Sequence, residues 1–408
     1  MSQPTNATLR VIRAAALLLT IALIGACRST RTPAEERIAH AKDGTGDVVI
    51  GVAWPWAARK EVRFGEGLQM AVDSINGAGG VLGRKLRLLK VDDKESVEDG
   101  ELVAQQLADN PEVVAVIGHL QSYVTVPAAA IYDYAGVLLV APTATDPDLT
   151  AHHYPLVFRT TFTDHAVGRA MASFAAAHGY RRIGIYYIRS DYGRNLANAF
   201  EEGANVMGLS VPVRQSYDPN DMASVRSFAL TFEQWKGLDL DAIFVAGEVP
   251  SAARAIVAAR AAGLDVPILG SDAMASQELI SVAGAAAEGV VVPTPFHPDE
   301  PEPGSRRFTA AFEKRYGVAP DAGSALGYDA VRLLATAIMQ AHSTVPTEVA
   351  SALHHLHDWR GVTGTFSFDE LGNLVQPQIT TMIVRDDRFA YLGDSTSVPM
   401  VAENADHE

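Results

Sequence analysis

The sequence predicts an α/β protein of two Rossmann-like lobes, each built on a parallel-rich sheet, with hinge crossovers between them. Three observations carry this expectation. From Asp47 onward, short runs of β-branched residues alternate with segments of helical spacing, the pattern of a parallel sheet with helices on both faces. The alternation occurs twice, and the chain of 408 residues is too long for one ordinary core. A Pro-rich break (Pro293, Pro295, Pro298, Pro301, Pro303) is then followed by helices and two more strands. Late helices that return to the first lobe make each lobe discontinuous in sequence.

In order, residues 48–53 form a buried strand, and Leu68, Val72 and Ile75 share one face of a helix over 64–76. Gly77-Ala78-Gly79-Gly80 ends that helix, and Leu86, Leu88 and Val91 mark the next strand, stopped by Asp92-Asp93. A helix over 97–108, a strand over 113–117, a helix through 128–134 and a strand over 137–140 follow. In the second half, strands fall at 183–188, 211–217, 242–246 and 268–270, with helices at 195–207, 224–236 and 251–262. Gly263-Leu264-Asp265-Val266-Pro267 is a helix stop. Helices near 305–316, 328–341 and 347–356 and strands at 365–368 and 379–384 close the chain.

The N-terminus reads as a targeting segment. Arg10 and Arg13 precede the apolar run 14–24, and Gly25-Ala26-Cys27 follows. Ile24-Gly25-Ala26-Cys27 resembles a lipobox, in which Cys27, the one cysteine of the chain, becomes the first mature residue and carries the lipid. The run is short for a bilayer span of roughly 20 residues. Residues 28–46 are polar, without periodicity, and are expected to be a flexible tether. The formal charge of −15 lacks the basic stripe of a nucleic-acid binder, so no nucleic-acid partner is expected.

Ligands of open parallel sheets bind in loops at the carboxyl ends of strands. Ser122 follows the strand at 113–117 and begins a helix; Thr145 follows the next strand. Hydroxyls and free amides at a helix N-terminus favour an anion, although each residue alone could be a helix cap. Asp272 in Gly270-Ser271-Asp272 ends another strand. There a buried carboxylate needs a cation as partner, or else it caps the next helix. Ser122 and Thr145 for a carboxylate and Asp272 for an ammonium would complement an α-amino-acid zwitterion.

Several stretches carry a resemblance: Ala71-Val72-Asp73-Ser74-Ile75-Asn76 with its glycine turn, Val116-Ile117-Gly118-His119-Leu120, residues 141–150 (APTATDPDLT), Asp191-Tyr192-Gly193 and Ala286-Ala287-Glu288-Gly289. Over about residues 47–395 the chain resembles the type 1 periplasmic-binding proteins, in the branched-chain amino-acid (Leu/Ile/Val-binding) family of ABC transporter substrate-binding proteins. The resemblance implies that Ser122 and the loop Thr143, Ala144 and Thr145 hold the amino-acid carboxylate and amine. It implies that Asp272 takes the ammonium and that Tyr192 closes over the ligand from the second lobe. The expected bounds are signal peptide 1–26, tether 27–46, lobe 1 at 47–163 plus 287–361, lobe 2 at 164–286 plus 362–395, and a tail at 396–408.

The chain departs from the family in places. Asp272 stands where a longer Glu is usual, Gln121 stands at the position of a family cysteine, and Glu248-Val249 replaces aromatic residues. Trp54 and Trp56 make the first loop unusually aromatic; they either pack at the domain edge or wall an apolar, aromatic or cationic ligand. Glu248 is either a solvated loop acid or a selector of basic groups. His354 and His357 have helical spacing but no evident further ligand, so no metal is expected. No Gly-x-Ser-x-Gly elbow or P-loop occurs, and a non-enzyme without cofactor is expected. Together, the N-terminal signal with Cys27 and the resemblance lead to the expectation of a lipid-anchored monomer facing the periplasm or cell exterior, whose partners are a small-molecule ligand, an amino acid foremost, and a membrane permease. A sensory subunit, or a binder of an amide, urea or aromatic acid, is the alternative.

Overall fold

A computed structural model describes residues 32–60, 62–219 and 224–394. The signal peptide, Cys27 and the tail at 396–408 lie outside the described residues. Among the described residues no helix is long and apolar enough to cross a membrane.

The first described element corrects the sequence expectation. Part of the segment expected to be a tether is a helix, α1 (Pro33–Asp43). Thr32 and Glu35 form a capping box at its start, Pro33 fills the first helical position, and Gly44 closes it in the left-handed region at φ 63°. Its Arg37 is fully buried, and the guanidinium donates to the carbonyls of Val113, Ala135, Ala108 and Asn110. A run that lacks apolar periodicity is thus docked by one polar side chain.

Lobe 1 is built on β1 (Val48–Trp54), β2 (Leu86–Asp92), β3 (Val113–Gly118), β4 (Leu138–Ala141) and β5 (Val157–Arg159). Their order is β2-β1-β3-β4-β5, and every neighbouring pair is parallel. β1 and β3 are buried along their whole length, as continuous apolar runs in such a sheet should be. Helices α2 (Phe64–Gly77), α3 (Val97–Ala108) and α4 (Ser122–Tyr134) and the short α5 (Asp148–Ala151) complete this half. At the end of β3, Gly118 has φ 145°, and a Cβ there would stand 2.2 Å from the Ala53 carbonyl oxygen, so only glycine fits.

The chain then enters lobe 2 through α6 (Asp164–Ala177). It continues as β6 (Arg182–Ile188), α7 (Asp191–Val206), β7 (Ser210–Tyr217), α8 (Ser224–Trp235), β8 (Ala242–Ala246), α9 (Ser251–Ala261), β9 (Ile268–Gly270), α10 (Gln277–Ala283) and β10 (Val291–Thr294). It returns to lobe 1 for α11 (Pro303–Tyr316), α12 (Ala322–Ala341), α13 (Pro346–His354) and a small hairpin, β11 (Trp359–Arg360) and β12 (Thr365–Phe366). Gly67 lets α2 lie against the start of α12, where a Cβ would stand 1.9 Å from the Ser324 carbonyl oxygen. The antiparallel β13 (Thr380–Arg385) and β14 (Arg388–Asp394) finish the second sheet, of order β14-β13-β10-β9-β8-β6-β7.

The lobe limits therefore shift. The return to lobe 1 was expected at residue 287, but β10 pairs with β9 and β13, so lobe 2 extends through Thr294. The final passage to lobe 2 was expected at 362, yet Phe366 and Phe368 pack in the core of lobe 1 with Phe158 and Leu353. Three crossovers result, after β5, after β10 and before β13.

Candidate functional site

The carboxyl ends of β1, β3 and β4 face those of β6, β8 and β9 across a cleft of about 1100 Å³. Both sheets reverse strand order beside β1 and β6, so the loops splay apart there and leave room for a ligand. The lobe 1 wall is a bonded pair of loops. Ser122 Oγ accepts from the amides of Thr145 (3.1 Å) and Asp146 (3.3 Å), which leaves its own proton free to donate into the cleft. Thr143 Oγ1 donates to the carbonyls of His119 and Leu120. His119 is itself fixed below the loop, with Nδ1 2.7 Å from Asp93 Oδ2 and Nε2 3.1 Å from the Tyr132 hydroxyl. Ser122 opens α4, so the first amides of that helix lack intrahelical acceptors and, with the helix dipole, favour an anion.

The lobe 2 wall is acidic. Tyr192 donates from its hydroxyl to Asp272 Oδ1 at 2.8 Å and accepts from the Ala273 amide. The loop before Asp272 is tied down by Ser271, whose hydroxyl donates to the Gly247 carbonyl. Burial pushes the Asp272 carboxyl above its ordinary range, against the opposing bond from Tyr192. An arriving cation would relieve that cost. Beneath the cleft lies Asp164, fully buried at the start of α6, with its amide bonded to the Thr145 carbonyl. Neither of its carboxylate oxygens has a hydrogen-bond partner of good geometry. Burial raises this carboxyl to about 8; the Thr145 hydroxyl beside it and Arg159 only partly oppose that, and Asp272 and Asp146 add to it.

The structure brings Ser122, Thr143, Thr145, Tyr192, Asp272, Trp54 and Glu248 to the cleft wall. Two expected residues do not line it. Ala144 is buried in the lobe 1 core, and its carbonyl accepts from Arg159. Trp56 turns away: its indole N–H donates to the Val91 carbonyl and its ring lies under Lys90 Nζ at 4.7 Å. Trp54 stacks on Phe64 with ring centroids 3.8 Å apart, and its buried indole N–H meets no acceptor among the described residues. Glu248 is pushed up by burial and by nearby Glu95, and Arg59 opposes this. Arg59 bonds Glu95 and reaches Glu278 of lobe 2 at 3.7 Å, so it joins the two lobes at the cleft mouth. Asn195 Nδ2 makes a second link, 3.5 Å from Asp146 Oδ1.

Sequence reading missed Arg59, Asp164 and Asn195. Asp164 looks like an ordinary first-turn acid after the Thr163 cap. The roles of Arg59 and Asn195 depend on the approach of the lobes. Among the described residues, no group of three or more His, Cys, Asp or Glu is placed to hold a metal; the His354 ring packs on Phe158.

Comparison with known proteins agrees with the two-lobed fold. Residues 57–387 match the periplasmic binding protein family. The Leu/Ile/Val-binding protein of Escherichia coli K12 is 30% identical over 338 residues, covering 83% of this chain and 89% of that protein. An ABC transporter substrate-binding protein of Desulfitobacterium hafniense, solved in complex with Leu, is 37% identical with a TM-score of 0.78, covering 85% of this chain and 100% of that one. A leucine binding protein from Thermotoga maritima is 27% identical with a TM-score of 0.77, over 85% of this chain and 98% of that one. The chain belongs to the periplasmic binding protein family, with the branched-chain amino-acid substrate-binding proteins of ABC transporters.

Proposed function

We propose that this protein is the lipid-anchored, extracytoplasmic receptor of an ABC importer and captures an α-amino acid between its lobes. One observation carries the reading. The Ser122 hydroxyl and the α4 amides in lobe 1 share a cleft with the Tyr192–Asp272 pair of lobe 2, and we read the first as an anion site and the second as a cation site. The ligand's carboxylate takes the first and its ammonium the second. Lobe closure follows as a population shift, driven by contacts made better in the closed form. The Cys27 lipid would hold the receptor at the membrane beside its permease. We read a binding protein rather than an enzyme, because the relatives bear the names of binding proteins.

The far end of the cleft argues against assuming a leucine-like ligand. Glu248 and Glu95 stand near Arg59 there, so a polar or basic side chain is as well served as an aliphatic one. A thermal-shift screen should include aliphatic, amide and basic amino acids with aromatic acids and urea. A ligand that binds only the native state must raise the melting temperature. Stabilisation by at least one zwitterionic amino acid is expected, and Asp272→Asn should weaken that binding by tenfold or more. If only non-zwitterions stabilise the protein, or if Asp272→Asn binds the amino acid as tightly, the amino-acid reading fails.

A further inference from the structure

A second cavity, of about 500 Å³, lies in lobe 1 away from the cleft, between α11, α12 and the β11–β12 hairpin. Three arginines line it: Arg307 from α11, Arg332 from α12 and Arg360 from β11. Set against the two acids that also line it, Glu300 and Glu302, the three arginines leave a local excess of positive charge in a chain of net charge −15. Phe308 and Tyr328 form part of the wall, so the charges sit beside low-dielectric surface, where they act more strongly.

The charges inside the cavity are unevenly satisfied. Its two carboxylates have donors within the fold: Glu302 accepts from the Gly304 amide at the start of α11, and Glu300 accepts from Gln378. The cations differ. Arg332 lies between aromatic rings, 5.1 Å from the Trp359 centroid and 5.3 Å from that of Tyr328. Stacking fixes the plane of a guanidinium and leaves its N–H edge available. Its acid neighbour among the described residues, Asp329 at 3.5 Å, is already occupied by the amides of Val362 and Thr363 and the Thr363 hydroxyl. Arg307 and Arg360 are exposed and make no ion pair among the described residues.

We propose that this cavity is a binding site for a phosphate-type oxyanion, held by Arg307, Arg332 and Arg360. Planar N–H pairs bind such oxygens bidentately, and three arginines lining one small cavity match a multivalent anion better than a single carboxylate. The site stands at the hinge, because Glu300 belongs to the crossover after β10 and Gln378 to the one before β13. The same phosphate chemistry comes from free phosphate or from a lipid headgroup.

Calorimetric titration of the purified protein tests this at constant ionic strength, with chloride as the balancing anion. The probes are inorganic phosphate and dihexanoyl-phosphatidylglycerol below its micelle concentration. Saturable 1:1 binding of one of them is expected, weakened tenfold or more in the Arg307→Ala/Arg360→Ala double variant. Both residues are exposed and outside the cleft, so the melting temperature of the variant should stay near that of the parent. Tighter binding of phosphate assigns the free anion, and tighter binding of the lipid assigns the headgroup. Failure of both probes to saturate, or equal binding by parent and variant, overturns the site.

Discussion

Asp164 holds a carboxylate inside the protein without a hydrogen bond of good geometry. Its folded pKa of about 8 lies above the unfolded value of 3.8, so folding takes up a proton between these pH values. Its contribution to stability is therefore complete below about pH 4 and is lost as pH rises toward 8. Asp164→Asn removes this titration. The stability of the variant relative to the parent should climb across that range, by up to ~1.4 kcal/mol per pH unit. Urea melts of both proteins at several pH values measure it, and a constant difference would mean that Asp164 is ionised throughout. At this scale the sequence was partly legible. Ser122, Thr145 and Asp272 could be placed because strand ends followed by small or acidic residues have a local signature. Ala144 and Trp56 could not, because a loop's sequence does not say which neighbours turn inward. Burial without a well-formed hydrogen bond, as at Asp164, leaves no mark in sequence at all.

The element with the least sequence signal of its own kind is α1. It lacks an apolar stripe, yet Arg37 reaches carbonyls at the end of α3, at the start of β3 and just after α4. Those groups lie at the pole of the sheet opposite the cleft. A readable trace existed in the Thr32–Glu35 capping box with Pro33 at the first position, but caps mark where a helix starts and not whether it docks. β10 was missed for a related reason. Val291–Thr294 is four residues long and contains Pro293, which resembles a loop until its pairing with β9 and β13 is seen. Arg37→Ala should cost about 3–5 kcal/mol, because it leaves several buried carbonyls without a donor. Urea denaturation, together with the rate of proteolysis within residues 33–43, reads this out. Unchanged stability and unchanged cleavage would mean that the helix contributes nothing to lobe 1.

At the scale of the whole molecule, closure must balance a few direct contacts between the lobes against the contacts made through the ligand. Direct contacts at the cleft include Arg59 with Glu278 and Asn195 with Asp146, at 3.7 and 3.5 Å. Both contacts are long and partly solvated, and an ion pair such as Arg59–Glu278 is worth roughly 0.2–1 kcal/mol. That weakness suits a receptor: a strong latch would close the cleft empty and gain nothing from ligand. Because closed-state contacts add to apparent affinity, Glu278→Gln should weaken amino-acid binding by only about fivefold or less. The loss should shrink as salt is raised, since exposed charges are screened. Arg59→Ala should do more, because Arg59 also offsets the acids Glu95 and Glu248 at the cleft end. Calorimetric titration of the two single variants and the double variant separates these effects. A coupling near that of one exposed ion pair assigns Glu278 to closure alone. A loss beyond tenfold at Glu278, independent of salt, would instead place it in direct contact with the ligand.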